Sequence, residues 1–284
     1  MWADVDTKSD FLNYSEVAEL ALDVVRNPRM RPVSVGVIGP SGCGKSTLLN
    51  LIEQGLTPQD GKNGFIVVRF DAWLYQGYDD SRAALMEVIA SALLETAATN
   101  EGLAAKARKL LGRVNGIRVL GLLAEGGALA MGVPAFGLLN KGVASLADMM
   151  EGDADGEDLT AVSEAGKDLQ KRGKEILKPE QQRTPPKEIR AFRAEFASLL
   201  EEMDKTLVVF VDNLDRCLPK QTIQTLEALR LFLFMDRTAF VVAADEEMVR
   251  HSVAEFFKDP GGRHVTDYLD KLIQVPVRVP RLGV

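Results

Sequence analysis

Between Gly39 and Thr47 the chain reads Gly-Pro-Ser-Gly-Cys-Gly-Lys-Ser-Thr, residue types suited to cradling a chain of phosphates. Backbone N–H groups along a tight turn can converge on an anion, and glycine lets the backbone approach closely. Gly39, Gly42 and Gly44 supply that freedom, with Ser41 and Cys43 between them. A helix opening near Lys45 would aim its unpaired N–H groups and positive dipole end at the same anion. Lys45 is then placed for the β- and γ-phosphates, the Ser46 hydroxyl for Mg2+, and Thr47 for the α-phosphate. The implied ligands are a nucleoside triphosphate and Mg2+.

Such a loop needs a second strand whose end carries an acid for the metal. Leu207-Val208-Val209-Phe210-Val211 is a continuous apolar run of the kind a buried parallel strand shows, and it ends in Asp212-Asn213-Leu214-Asp215-Arg216. Asp212 stands at the strand's C-terminal end, where open α/β sheets bind ligands, and is the candidate Walker B acid. Asn213 occupies the next position, where many hydrolysing relatives of this architecture carry a second acid. An amide can orient water but cannot take its proton. Asp215 is an alternative water-orienting group, or else it pairs with Arg216 and shapes the turn. A further buried-type strand, Phe240 to Ala244, ends in Asp245. That residue could sense a γ-phosphate or N-cap the helix starting at Glu246, and the two roles are compatible.

Around these residues the elements alternate between strands and helices. Leu12, Val17, Leu20, Ala21, Val24 and Val25 recur at helical spacing until Asn27-Pro28. Val33 to Ile38 is the strand before the loop, and Leu48 to Ile52 lies on the helix after it. Phe65 to Phe70 forms a second strand that runs into Asp71-Ala72-Trp73-Leu74-Tyr75, followed by a helix from about Asp80. Arg190 to Met203 is amphipathic, with Phe192, Phe196, Leu199 and Leu200 on one side. The helix after Pro219 carries Ile223, Leu226, Leu229 and Phe232 as core. Ile273 to Val277 is the last strand, and Pro276 assigns it to an edge. The fold class is α/β, a mainly parallel sheet flanked by helices. The whole chain, 1–284, is read as one domain with a helical insertion at about 100–186.

That insertion holds an apolar stretch, Val119 to Leu139, with Glu125 as its one charge. It is long enough to cross a bilayer. One crossing, however, would put the loop and Asp212 on opposite sides, and a hairpin would leave arms of about ten residues, too short to span. Gly126-Gly127 and Pro134 also weaken a straight helix. Apolar helices packed on the domain or on a partner are the favoured reading, with a membrane-surface or re-entrant segment as the alternative. Asp158 to Lys178 reads as a charged, exposed helix and Pro179 to Pro186 as a linker.

Composition narrows the function classes. With 284 residues, 46% hydrophobic and 26% charged, the chain is an ordinary globular one, and its net charge of −7 gives no broad basic footprint for nucleic acid. Cys43 and Cys217 are its two cysteines, which suits a reducing compartment and hence the cytoplasm. His251 and His264 show no metal-ligand spacing with them. Met1 to Asp10 is polar and acidic, unlike a signal peptide. Thr7-Lys8-Ser9-Asp10 has the letters of a guanine reader but precedes the loop, and no Leu-Ser-Gly-Gly-Gln signature occurs. ATP is therefore favoured over GTP. A small-molecule kinase would need an acceptor site, and none is visible.

The loop, Arg69 to Tyr75, Val209 to Cys217, Leu226 to Phe234, the Ala-Ala-Asp ending at Asp245, and Tyr268 to Pro280 together resemble the KAP family of P-loop NTPases. The resemblance spans most of the chain outside the insertion. It implies an ATP-dependent switch of the additional-strand class, with a further strand between the loop strand and the Asp212 strand. Family members often carry membrane-associated insertions between these motifs, and bacterial members are linked to phage exclusion. The family pattern Asp-Asp-Leu-Asp-Arg has Asn213 as its second residue here. A helical lid normally follows the last strand, so the lid is expected to be missing or to come from another chain. Arg216, Arg230 and Arg263 are candidate phosphate sensors, with surface ion pairs as the favoured alternative. The resulting expectation is an ATP-binding switch with turnover and with protein partners or self-assembly, in antiviral defence; its rival is a nucleotide-binding assembly module without turnover.

Overall fold

The computed structural model describes residues 10, 13–57, 64–75, 81–114, 185–257 and 263–280. Contacts group Met1–Asn115 with Arg190–Val284 in one unit and Gly116–Ile189 in another. The expectations for 119–139 and 158–178, and for the linker 179–186 as far as 184, lie outside the described residues; Pro185 and Pro186, read as linker, instead open the helix Pro185–Glu202.

The first unit is built on five parallel strands: β1 (Val33–Ile38), β2 (Phe65–Asp71), β3 (Thr206–Asp212), β4 (Thr238–Ala244) and β5 (Val275–Arg278). Their order across the sheet is β2-β3-β4-β1-β5. β4 is the additional strand between the loop strand and the Asp212 strand. It is buried along its whole length, and β3 nearly so, because a central strand of a parallel sheet is covered on both faces. That is why both read as unbroken apolar runs. β2 alternates in burial, as an edge strand does. β5 is the opposite edge, where Pro276, in register with Gly36, removes an N–H without breaking a central ladder.

Helices α1 (Ser15–Arg26) and α2 (Lys45–Leu56) belong to one core layer. Leu22, Val25, Leu48, Leu49 and Ile52 are fully buried there with Val35, Val37, Phe210 and Val241 of the strands. α1 opens on the Asp10 carboxylate, which accepts from the N–H groups of Tyr14 and Ser15, each at 2.8 Å. The remaining helices are α3 (Ser81–Ala97), α4 (101–114), α5 (Pro185–Glu202), α6 (Pro219–Phe232), α7 (Glu246–Phe257) and α8 (Arg263–Leu272). Phe192, Phe196, Phe232 and Phe240 join α5, α6 and β4, with ring centroids 5.4 to 6.4 Å apart. α4 buries Ala104, Ala107, Leu110 and Val114, and Arg113 is clamped on Glu195 at 2.7 Å. The stretch 101–114 is thus part of the first unit, although the sequence placed it within the insertion.

Candidate functional site

Because all five strands run in one direction, Ile38, Asp71, Asp212 and Ala244 end along the same edge of the sheet. The loop leaving β1 is tied to that edge by the Gly39 N–H, which donates to the Ala244 carbonyl at 3.3 Å. Gly42 and Gly44 take φ of 79° and 89°, the left-handed region where a side chain is strained. Gly39 is needed for a different reason: a Cβ there would lie 2.5 Å from Cys43 Sγ and 3.3 Å from Val279. The Tyr14 hydroxyl, buried at the start of α1, donates to the Cys43 carbonyl at 2.7 Å and fixes the loop from below. Burial raises the Tyr14 pKa, with the Cys43 and Asp10 charges adding to it.

Gly44, in the left-handed conformation, turns the chain into α2, whose first residues Lys45 and Ser46 reach past β4 to the end of β3. Lys45 Nζ donates to the carbonyls of Gly39 (3.0 Å) and Pro40 (3.2 Å) and lies 3.5 Å from Asp215 Oδ2. The Ser46 hydroxyl donates to Asp212 Oδ2 at 2.8 Å. This spacing fits the metal the loop implies. Mg2+–oxygen bonds of about 2.0–2.1 Å at right angles put adjacent ligand oxygens about 2.9 Å apart. Mg2+ also needs only one or two protein oxygens beside phosphate and water.

Beyond Asp212 the chain turns through Asn213, at φ 57° and ψ 26°, into a single 3-10 turn, Leu214–Arg216. The Asn213 N–H donates to Asp212 Oδ1 (2.8 Å), and its side-chain Nδ2 donates to Asp71 Oδ2 (2.8 Å). The turn separates its neighbours: Asp215 goes inward to Lys45, and Arg216 is exposed. Asp245 caps α7 by accepting from the Glu247 N–H at 3.0 Å. Its charge also reaches Cys43, whose pKa is raised mainly by burial. Thr47 is buried and Ser41 exposed. Arg230 is exposed, and the Arg263 side chain lies outside the described residues. Burial, with the charges of Asp71 and Asp215, pushes the Cys217 thiol up to about 11.

Lys45, Ser46, Asp212, Asn213 and Asp215 lie together at the strand ends, with Asp215 beside Lys45. Asp71 and Tyr14 were given no role there. Asp71 did carry a signal, since it ends β2 as Asp212 ends β3, and the two are in register. Tyr14 carried none. A cavity of about 290 Å³, walled by Ile38, Leu214, Val242 and Leu269, lies beside the loop and includes none of the candidate residues.

The family model of the KAP family P-loop domain matches residues 14–284. The chain belongs to the KAP family. Its match begins at Tyr14, the residue that braces the loop, and it includes the additional strand β4. A nucleotide-binding P-loop fold is thereby established for this KAP domain. It is also similar to a protein named Phage T7 exclusion protein of Escherichia coli (strain K12), 29% identical over 89 residues. The aligned part is 31% of this chain and 12% of that protein's length. Among the described residues no helix is long and apolar enough to cross a membrane; the stretch 119–139 lies outside them.

Proposed function

We propose that this domain binds ATP with Mg2+ and hydrolyses it, and that the cycle drives a conformational or assembly switch in phage exclusion. The observation that carries the reading is the meeting of Ser46 with Asp212, 166 residues apart in sequence, at 2.8 Å beside Lys45. The loop N–H groups and Lys45 hold the triphosphate, and Ser46 and Asp212 hold the metal. Held by Ser46 and Asp212, Mg2+ would supply positive charge against the charge that develops on the phosphates. Asn213 orients the attacking water, and catalysis is positioning with charge stabilisation rather than covalent chemistry. Asp215 serves as counter-ion to Lys45. Asp245, capping α7 beside the loop, is the candidate sensor of the γ-phosphate. The phage role is supported by the name of a relative over a short alignment, and by nothing in the site. Self-assembly or a protein partner is the expected output, and the free thiols of Cys43 and Cys217 suit the cytoplasm.

A second reading, a nucleotide-dependent assembly module without turnover, is favoured by one observation: Asn213 stands where the family pattern has an acid. Steady-state phosphate release and fluorescent-ATP binding on the wild type, Lys45→Ala and Asp212→Ala separate the two. Turnover abolished by both substitutions supports hydrolysis. Tight binding with no turnover selects the module, and no binding refutes both.

A further inference from the structure

Asn213 is paired with a residue to which no role has been given. Asp71, 142 positions earlier, receives the Asn213 Nδ2 donor on Oδ2 at 2.8 Å. Its other oxygen, Oδ1, accepts from the N–H groups of Trp73 (3.0 Å) and Leu74 (3.2 Å). The backbones are fixed on both sides: Asp71 is in register with Asp212, and the Ala72 N–H donates to the Asp212 carbonyl at 3.0 Å. Three hydrogen bonds thus hold the carboxylate in this orientation. A carboxylate only accepts, so the NH2 end of the amide must face it and the amide oxygen must point away from it. The left-handed backbone at residue 213 is one that Asn tolerates. An acid there would set two carboxylates within hydrogen-bond distance of one another, whereas an amide donates at one end and accepts at the other.

We infer that Asp71 is a positioning residue for hydrolysis: it locks the Asn213 amide so that its oxygen aligns the attacking water. The inference rests on the reading that the domain hydrolyses ATP. In the step, the water oxygen bonds to the γ-phosphorus while the bond from that phosphorus to the β–γ bridging oxygen breaks. The electron pair leaves with ADP. One water proton stays on the attacking oxygen, hydrogen-bonded to Asn213 Oδ1. The other passes to a γ-phosphate oxygen, so the products are ADP and inorganic phosphate and no protein base is consumed. An amide suffices because it is asked to align the water and not to deprotonate it.

The test combines turnover, binding and a direct view of the amide. Asp71→Ala lowers kcat about 10²-fold, the cost of a misplaced reacting group. It leaves the Kd of a fluorescent ATP analogue within about threefold, because an interaction made only in the transition state is lost. In chain labelled with 15N-asparagine, the Asn213 side-chain NH2 signal is protected from exchange in the wild type and loses that protection in Asp71→Ala. Asp71→Asn, which keeps an acceptor oxygen, recovers part of kcat. Asn213→Ala gives the same fall, and adding Asp71→Ala to it lowers kcat no further, since the two act as one unit. Wild-type turnover in Asp71→Ala, a still protected Asn213 amide, or additive losses in the double variant overturns the inference while hydrolysis stands. A wild type that binds ATP without turnover overturns both.

Discussion

The Lys45–Asp215 pair makes a quantitative prediction about affinity. Lys45 Nζ lies 3.5 Å from Asp215 Oδ2, with each side chain 10% exposed, and it also donates to two loop carbonyls. Phosphate oxygens must compete with these partners for the ammonium. At this separation and an effective dielectric near 20, the gross attraction is about 5 kcal/mol. Desolvation of the two buried ions offsets much of it. A residue of about 1.5–3 kcal/mol opposes nucleotide, and the Asp215 carboxylate adds repulsion once negative phosphates arrive. Asp215→Asn therefore tightens ATP binding about 10–100-fold. The same change leaves a buried cation with carbonyl partners alone, so the nucleotide-free protein loses about 3 kcal/mol and melts several degrees lower. Saturating ATP then restores more melting temperature to the variant than to the wild type. Calorimetric titration with MgATP, paired with melting curves, measures both effects. An unchanged or weaker affinity in Asp215→Asn refutes the reasoning and returns Asp215 to the water or the metal.

Other perturbations test the supports of the loop. Gly39→Ala puts a Cβ 2.5 Å from Cys43 Sγ, so it should cost about 1–3 kcal/mol in urea denaturation. Adding Cys43→Ala should recover most of that loss, leaving only the 3.3 Å approach to Val279. Tyr14→Phe removes the 2.7 Å bond to the Cys43 carbonyl and should lower stability by about 1–2 kcal/mol, read in the same assay. Burial, aided by Asp71 and Asp215, raises the Cys217 thiol from 9.0 to about 11 in the folded state. The unfolded chain releases that proton first, so the contribution is whole below pH 9 and is lost as pH rises towards 11. About 2–3 kcal/mol should disappear over that window. Cys217→Ala should flatten the alkaline limb of the stability–pH curve, and the native thiol should resist alkylation at pH 8.

How much of this could be read without coordinates depended on where each interaction partner lies. β3 and β4 were visible because central parallel strands must be apolar on both faces, and β5 because Pro276 is tolerable only at an edge. Lys45 and Ser46 were visible because the loop places them by its own spacing. Asp215 was harder. Its sequence neighbour Arg216 looked like a partner, but a 3-10 turn advances about 120° per residue and sends the two side chains apart. Asp71 was present in a motif yet mute, since its meaning comes from register with Asp212 across 142 residues of chain to Asn213. Tyr14 depends on the packing of α1 beneath the loop, which no periodicity records.

The additional strand explains why these partners must be so tightly specified. With β4 between them, the axes of β1 and β3 are two spacings apart, about 9.5 Å, and a loop leaving β1 cannot reach the end of β3 through backbone hydrogen bonds. The first turn of α2 spans that gap. Gly44 reverses the chain, and successive residues then project about 100° apart, so Lys45 meets Asp215 while Ser46 meets Asp212. On the far side, β2 is directly bonded to β3 and delivers Asp71 to Asn213. Asp212 is held between the two: Oδ1 takes the Asn213 backbone N–H and Oδ2 takes the Ser46 hydroxyl. Under the proposed ATP-driven switch, a shift of Ser46 passes through the Asp212 carboxylate to the Asn213 backbone, while Asp71 holds the Asn213 side chain in place.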